Sequence, residues 1–290
     1  SAAALIGAVE QDVDEGLGNF SKENYAGRNL HFGVRELAMA AIANGIALHG
    51  GLRPYVATFF VFSDYMKPMV RLAALMKIPT TYVLTHDSIG VGEDGPTHEP
   101  VEQLAMWRAL PNVNVFRPAD VTETEAGWYL ALTSKETPTL LVLTRQGLTQ
   151  PEVPEGGAQG RDIVSEAKDK DNLDGILIAT GSEVALAIEA QAELAAQGRS
   201  IRVVSMPCMD LFAKQSDAYK ESILPSDVRA RVAVEAAMPF GWGDYVGLDG
   251  ATVAMQGFGA SAPGGVLFKK FGFTKEHVVE TMLRVLAKVK

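Results

Sequence analysis

Within the stretch HDSIGVGEDGPTHEP, residues 86–100, the sequence sets His86, Asp94, His98 and Glu99 among three glycines and two prolines. Imidazole and carboxyl groups gathered on a glycine-rich loop can hydrogen-bond a hydroxylated substrate, relay protons or bind a metal. The metal is the weakest of these. Asp94 and His98 lie four apart, but Pro96 disfavours a helix holding both on one face, and no HExxH pattern occurs. A polar surface loop with turn-forming glycines would carry the same residues, yet loops of this length in compact domains tend to be functional.

Three further stretches have suitable chemistry. Glu36, in FGVRELAMAAIANGIALHGG, opens a predicted helix whose free N-terminal amides suit an anion. The rest of that helix is so apolar that it is expected to be largely buried, so Glu36 is either a dipole-stabilised helix start or a working acid. In TFFVFSDYM, Phe59, Phe62 and Tyr65 recur every three residues, which places them on one helix face as a core stripe or as the wall of a ring-binding pocket. Arg145 ends the apolar run LVLTR, where a guanidinium suits a phosphate or carboxylate, or else an interdomain salt bridge. The single cysteine, Cys208, has no partner for an internal disulfide and reads as a buried structural thiol.

The elements that must position these groups alternate. Strands are predicted at 54–58, 80–84, 113–116 and 139–144, and helices at 34–49, 61–76, 99–109 and 122–133. This is the βα rhythm of a parallel sheet, and the His86–Pro100 loop follows the strand TTYVLT, at the carboxyl end where open α/β folds bind ligands. Thr122 and Glu125 fit a capping box, and the glycines of HGG supply a helix stop. The passage 151–174 is polar, with proline and glycine, and reads as an interdomain linker. A second βα series follows from 175 to 290, with Ser182 as helix N-cap, Gly198 as helix stop and a terminal helix over 275–289. The expected fold is therefore α/β, with two consecutive domains, 1–150 and 175–290, each a mostly parallel sheet flanked by helices. The 290 residues are 47% hydrophobic, enough for two cores. A formal charge of −9 with dispersed acids gives no basic face for nucleic acid. No apolar run approaches the roughly 20 residues needed to span a bilayer, and a cytoplasmic chain is expected.

The order and wording FGVRE, TFFVFSDY, THDSIGVGEDGPTHEPVEQLA, LTRQ and IATGSEV resemble the pyrimidine-binding and C-terminal domains of transketolases, from about Asn29 to the end of the chain. The string GEDGPTHEPVEQ is the most specific part. The resemblance implies transfer of a two-carbon ketol unit from a ketose phosphate to an aldose phosphate, in the pentose phosphate pathway, with thiamine diphosphate as cofactor. It implies that Glu36 hydrogen-bonds the aminopyrimidine ring and promotes the tautomer that activates the thiazolium. It also implies that Phe59, Phe62 and Tyr65 hold that ring, and that His86, Asp94 and His98 face the substrate. His86 and His98 are then catalytic together with Glu36, and Arg145 binds the sugar phosphate.

The departures from that pattern are equally specific. The family's GDG motif, with its later asparagine for magnesium and diphosphate, is absent, and EDG at 93–95 belongs to the substrate loop. A GGSADL-like stretch before GVRE is absent too. The expectation is a fragment of a longer enzyme that holds only the pyrimidine end of the cofactor. Magnesium would be bound through a diphosphate-binding domain of the same or a partner subunit, in a homodimer with helix 34–48 as a candidate contact. No metal site is assigned here, and the isolated chain is expected to be inactive. The alternatives are a subunit of a split transketolase, another thiamine-diphosphate enzyme (a dihydroxyacetone synthase or the beta-type subunit of a 2-oxo acid dehydrogenase), or a non-catalytic dimerisation or binding module.

Overall fold

The computed structural model describes residues 4–6, 18–148 and 162–289. Among these, β1 (Ala4–Ile6) and β2 (Leu30–Gly33) lead into α1 (Glu36–His49), then β3 (Tyr55–Phe59), a 3₁₀ turn (Phe60–Phe62), α2 (Ser63–Met76) and β4 (Thr81–Thr85). After the His86–Pro100 loop come α3 (Gln103–Arg108), β5 (Asn114–Phe116), α4 (Val121–Thr133) and β6 (Thr139–Val142). The first sheet has the order β2-β1-β3-β4-β6-β5. Strands β3, β4, β6 and β5 are parallel, and β1 runs antiparallel between β2 and β3. Strand β2 therefore runs in the same direction as β3. The end of β2, which launches α1, lies at the same sheet edge as the ends of β3, β4 and β6.

The second sheet comprises β7 (Asp162–Ser165), β8 (Gly175–Ala179), β9 (Ile201–Ser205), β10 (Arg231–Glu235) and β11 (Ala251–Ala254), in the order β11-β10-β8-β9-β7. Its helices are α5 (Glu183–Ala196), α6 (Met209–Ala213), α7 (Asp217–Ile223), α8 (Gly243–Val246), α9 (Gly264–Lys270) and α10 (Lys275–Val289). Both sheets are thus mostly parallel and flanked by helices, as expected. Every residue of β8 and β9 is buried, the pattern of a parallel strand covered on both faces.

Several local expectations are corrected. Residues 162–165, inside the passage read as a linker, form β7, which pairs antiparallel with β9; 149–161 lie outside the described residues. The cap of α4 is Asp120 rather than Thr122: the Asp120 carboxylate accepts from the Glu123 amide at 2.8 Å while Glu123 accepts from the Ala119 amide at 2.7 Å. Helix α3 starts four residues later than predicted. Pro100 disfavours a helical conformation at Glu99, and the Gln103 side chain takes the Val101 amide at 3.0 Å. Helix α1 is buried on one face only, through Glu36, Met39, Ala40, Ala43 and Asn44, while Leu37, Ile42 and Leu48 are exposed.

Asn44 explains how α1 is fixed. Its side-chain oxygen accepts from the hydroxyls of Thr80 at 3.1 Å and Tyr82 at 3.0 Å, and its amide donates to the Met69 carbonyl of α2 at 2.8 Å. One buried side chain therefore joins two helices and the sheet. Met39, Phe60, Met66, Leu84 and Trp107 belong to the hydrophobic core of this domain. The Trp107 indole donates to Ser63 at 2.8 Å, at the start of α2.

Candidate active site

The carboxyl ends of β2, β3 and β4 open onto one cleft of about 770 Å³, lined by Glu36, Phe59, Phe62, Tyr65, Asp94 and His98 among others. Six of the positions singled out in the sequence thus meet in one place. Glu36 is the first residue of α1 and only 4% exposed. Gly33, at φ +61, turns the chain from β2 towards this helix, a conformation that costs glycine little.

The aromatic stripe is real, but it is not a helix face. Phe59 ends β3, Phe62 ends the 3₁₀ turn and Tyr65 lies in α2. The row therefore runs from the end of a strand, across a short 3₁₀ turn, into a helix. The rings form a stacked row, with centroids 6.1 Å apart for Phe59 and Phe62 and 6.2 Å for Phe62 and Tyr65. Phe60, between them, points the other way and is fully buried in the core. The His86 imidazole continues the row, with its centroid 3.6 Å from that of Phe59, and His98 meets Phe62 edge-on at 5.4 Å.

His86 and Arg145 do not line the cleft itself. His86 leaves β4 with φ +63, rare for a residue with a side chain, and its Nδ1 lies 2.9 Å from the Thr85 hydroxyl. Arg145 is exposed, just beyond β6. Burial and then the Arg145 guanidinium hold the His86 pKa below its ordinary value, against the opposing pull of Asp94 and Asp87. At neutral pH this imidazole is therefore neutral, able to accept one hydrogen bond and donate another.

The loop joining these groups is packed rather than solvated. Ile89 and Val91 are buried, and the Ser88 hydroxyl caps the short 3₁₀ turn Ile89–Val91 at the Gly90 amide. Gly95, at φ +77, leaves space that a Cβ would take from Ser261 Oγ of the second domain, 2.8 Å away. Ser261 donates to the Glu93 carbonyl. Glu99 does not line the cleft. It is 2% exposed, packs on Gly259, and burial pushes its pKa up to about 7, only partly offset by the Ala260 amide. Among the described residues no group of three or more histidine, cysteine or acidic side chains could hold a metal ion. No described helix is long and apolar enough to cross a membrane.

Sequence reasoning missed Arg35 and Leu37, which also line the cleft. Position beside Glu36 was the available signal. It also missed the buried Asp87 and Arg117 behind His86; an arginine after an apolar strand reads as surface in the absence of a tertiary partner. Cys208 is a buried thiol, as expected, and burial pushes its pKa up to about 12.

Residues 7–151 match the family described as the transketolase pyrimidine-binding domain, and residues 160–274 match the transketolase-like C-terminal domain. With the fold, these matches define a transketolase-type pyrimidine-binding domain followed by a transketolase-like C-terminal domain. A curated transketolase from Bacillus subtilis (strain 168) is 55% identical over 292 residues, covering 99% of this chain and 44% of its own length. A transketolase structure from Leishmania mexicana superposes with a TM-score of 0.89 at 48% identity, over 93% of this chain and 40% of that one. A second structure, described as a split gene transketolase, inactive beta4 tetramer, gives a TM-score of 0.71 at 25% identity, over 88% of this chain and 82% of its own. The chain belongs to the transketolase family. It spans less than half the length of the Bacillus relative.

Proposed function

We propose that these residues form the pyrimidine-binding and C-terminal part of an enzyme that moves a two-carbon ketol unit from a ketose phosphate to an aldose phosphate, as in the pentose phosphate pathway. The observation that carries this reading is the meeting, in one cleft, of a buried carboxyl with three stacked aromatic side chains and a histidine. Such a cleft fits an aminopyrimidine: the row of Phe59, Phe62 and Tyr65 offers a stacking platform, and Glu36 a hydrogen-bond partner for a ring nitrogen. Thiamine diphosphate, when bound, would supply a stabilised carbanion centre.

The chain's own residues do the rest. Glu36 would hold a ring nitrogen of the aminopyrimidine and exchange a proton there. His98 and the neutral His86 move protons on substrate hydroxyls and carbonyls, Asp94 orients a hydroxyl, and Arg145, free to reach outward, binds the phosphate. Diphosphate and magnesium are held by a diphosphate-binding domain of the same or a partner subunit, so these residues alone are inactive. The exposed Leu37, Ile42 and Leu48 on α1 support a homodimer formed over this face. A second reading, one subunit of a split enzyme, is favoured by the split-gene neighbour, because that chain, unlike the Bacillus relative, is matched over 82% of its length.

In the complete enzyme, Glu36→Ala is expected to lower turnover by about 10²–10⁴-fold. Near-normal turnover would refute the assignment. Calorimetry of this chain with thiamine diphosphate and magnesium is expected to show no tight binding; micromolar, magnesium-dependent binding would overturn the need for a second domain.

A further inference from the structure

The two domains meet through charges that water does not reach. Arg117 follows β5, is fully buried, and lies directly behind the substrate loop. Its Nε donates to Asp87 Oδ2 at 2.9 Å, and its Nη2 lies 2.7 Å from the same oxygen. Its Nη1 turns to the second domain, donating to Glu183 Oε2 at 2.6 Å, the Thr180 hydroxyl at 2.8 Å and the Thr180 carbonyl at 3.0 Å. Thr180 in turn donates to Glu235 Oε1 at 2.6 Å. Glu235 is also held by Arg108 at 2.7 and 2.8 Å and by the Trp242 indole at 2.8 Å. Glu183 accepts a further bond from the Ala236 amide at 2.9 Å.

A buried ion pair of this kind often does no more than join domains, but its place in the chain indicates more. Asp87 is the residue next to His86, whose φ of +63 costs energy and persists only where the surroundings fix it. On its other side His86 is fixed by the ladder of β4. With β4 on one flank and Asp87 clamped on the other, the imidazole has little choice but to lie against Phe59.

We infer that Arg117 is a positioning residue for His86, and that the second domain, through Thr180 and Glu183, sets the aim of that imidazole. The C-terminal domain then reaches the site without lining it. Gly181 keeps this approach open: at φ +55, a Cβ there would lie 2.6 Å from the Arg117 guanidinium carbon. The consequence for catalysis rests on the proposed role of His86, whereas the placement of the ring does not.

The test separates the two. The chain has five histidines, and His86→Gln identifies the resonances of that ring in histidine-edited NMR spectra. Stacked on Phe59, the His86 ring protons are expected upfield of those of the exposed His49 and His277. In Glu183→Gln and in Thr180→Val, both in the other domain, they are expected to move downfield towards those of His49 and His277, while the His31 signals stay in place. Circular dichroism checks that each variant is folded, and Thr180→Val, the smaller change, keeps the test decisive if Glu183→Gln does not fold. Unmoved His86 resonances in a folded variant would overturn the inference. A downfield shift in the chain together with unchanged turnover when the variant is placed in the complete enzyme would uphold the positioning and refute the role of His86 instead.

Discussion

Glu99 gives the sharpest test of how the loop is held. Its carboxyl is packed against Gly259 at 2% exposure, and burial moves its pKa from the ordinary 4.5 to about 7. A raised carboxyl pKa means that, between these values, the folded state holds a proton that the unfolded state has lost. The contribution of Glu99 to stability therefore falls as pH rises from about 4.5 to 7, then levels off. The full shift corresponds to about 3 kcal/mol, and water entry on ionisation lowers the fall to about 1–2 kcal/mol. Glu99→Gln carries no charge at any pH and removes this slope. His86, whose proton is disfavoured by folding, slopes the other way in both proteins and drops out of the difference. Urea unfolding of both proteins at pH 5 and pH 8 should show Glu99→Gln gaining on the parent by that amount between the two conditions. An equal slope in both proteins would show that Glu99 is ionised or solvated in the folded state, and would refute the packing argument.

Two other perturbations follow from buried groups. Cys208, fully buried with its pKa pushed up to about 12, is expected to resist iodoacetamide at pH 8 in the folded protein and to react once urea unfolds it; labelling at equal rates would contradict its burial. Asn44→Ala leaves the hydroxyls of Thr80 and Tyr82 without their shared acceptor and is expected to cost about 1–3 kcal/mol or more, read from the shift in urea midpoint.

Much of the site was legible before the fold, for a physical reason. Loop chemistry is local: His86, Asp94 and His98 declare themselves by residue type, and the strand before them fixes the sheet edge at which they emerge. Glu36 and the aromatic spacing of three were visible as features, yet the residues alone left core and pocket, cap and acid, undivided. The resemblance implied pocket and acid. In the structure β2 runs with β3, so α1 starts beside the ring row, and the chain passes from Phe59 through a short 3₁₀ turn to Phe62 rather than along one α-helix. Local signals were less secure where two residues compete for one role, as when Asp120 rather than Thr122 caps α4.

The sequence by itself determined the periodicities, the two-domain α/β order and the chemical inventory of the loop, because these depend on neighbours within a few positions. Only the tertiary structure decided that Arg117 joins Asp87 to Glu183, that Glu99 turns from the cleft to Gly259, and that α1 keeps an apolar face uncovered. Each depends on partners distant in the chain, and a charge or an apolar face acquires its energy only when the fold fixes what lies opposite it.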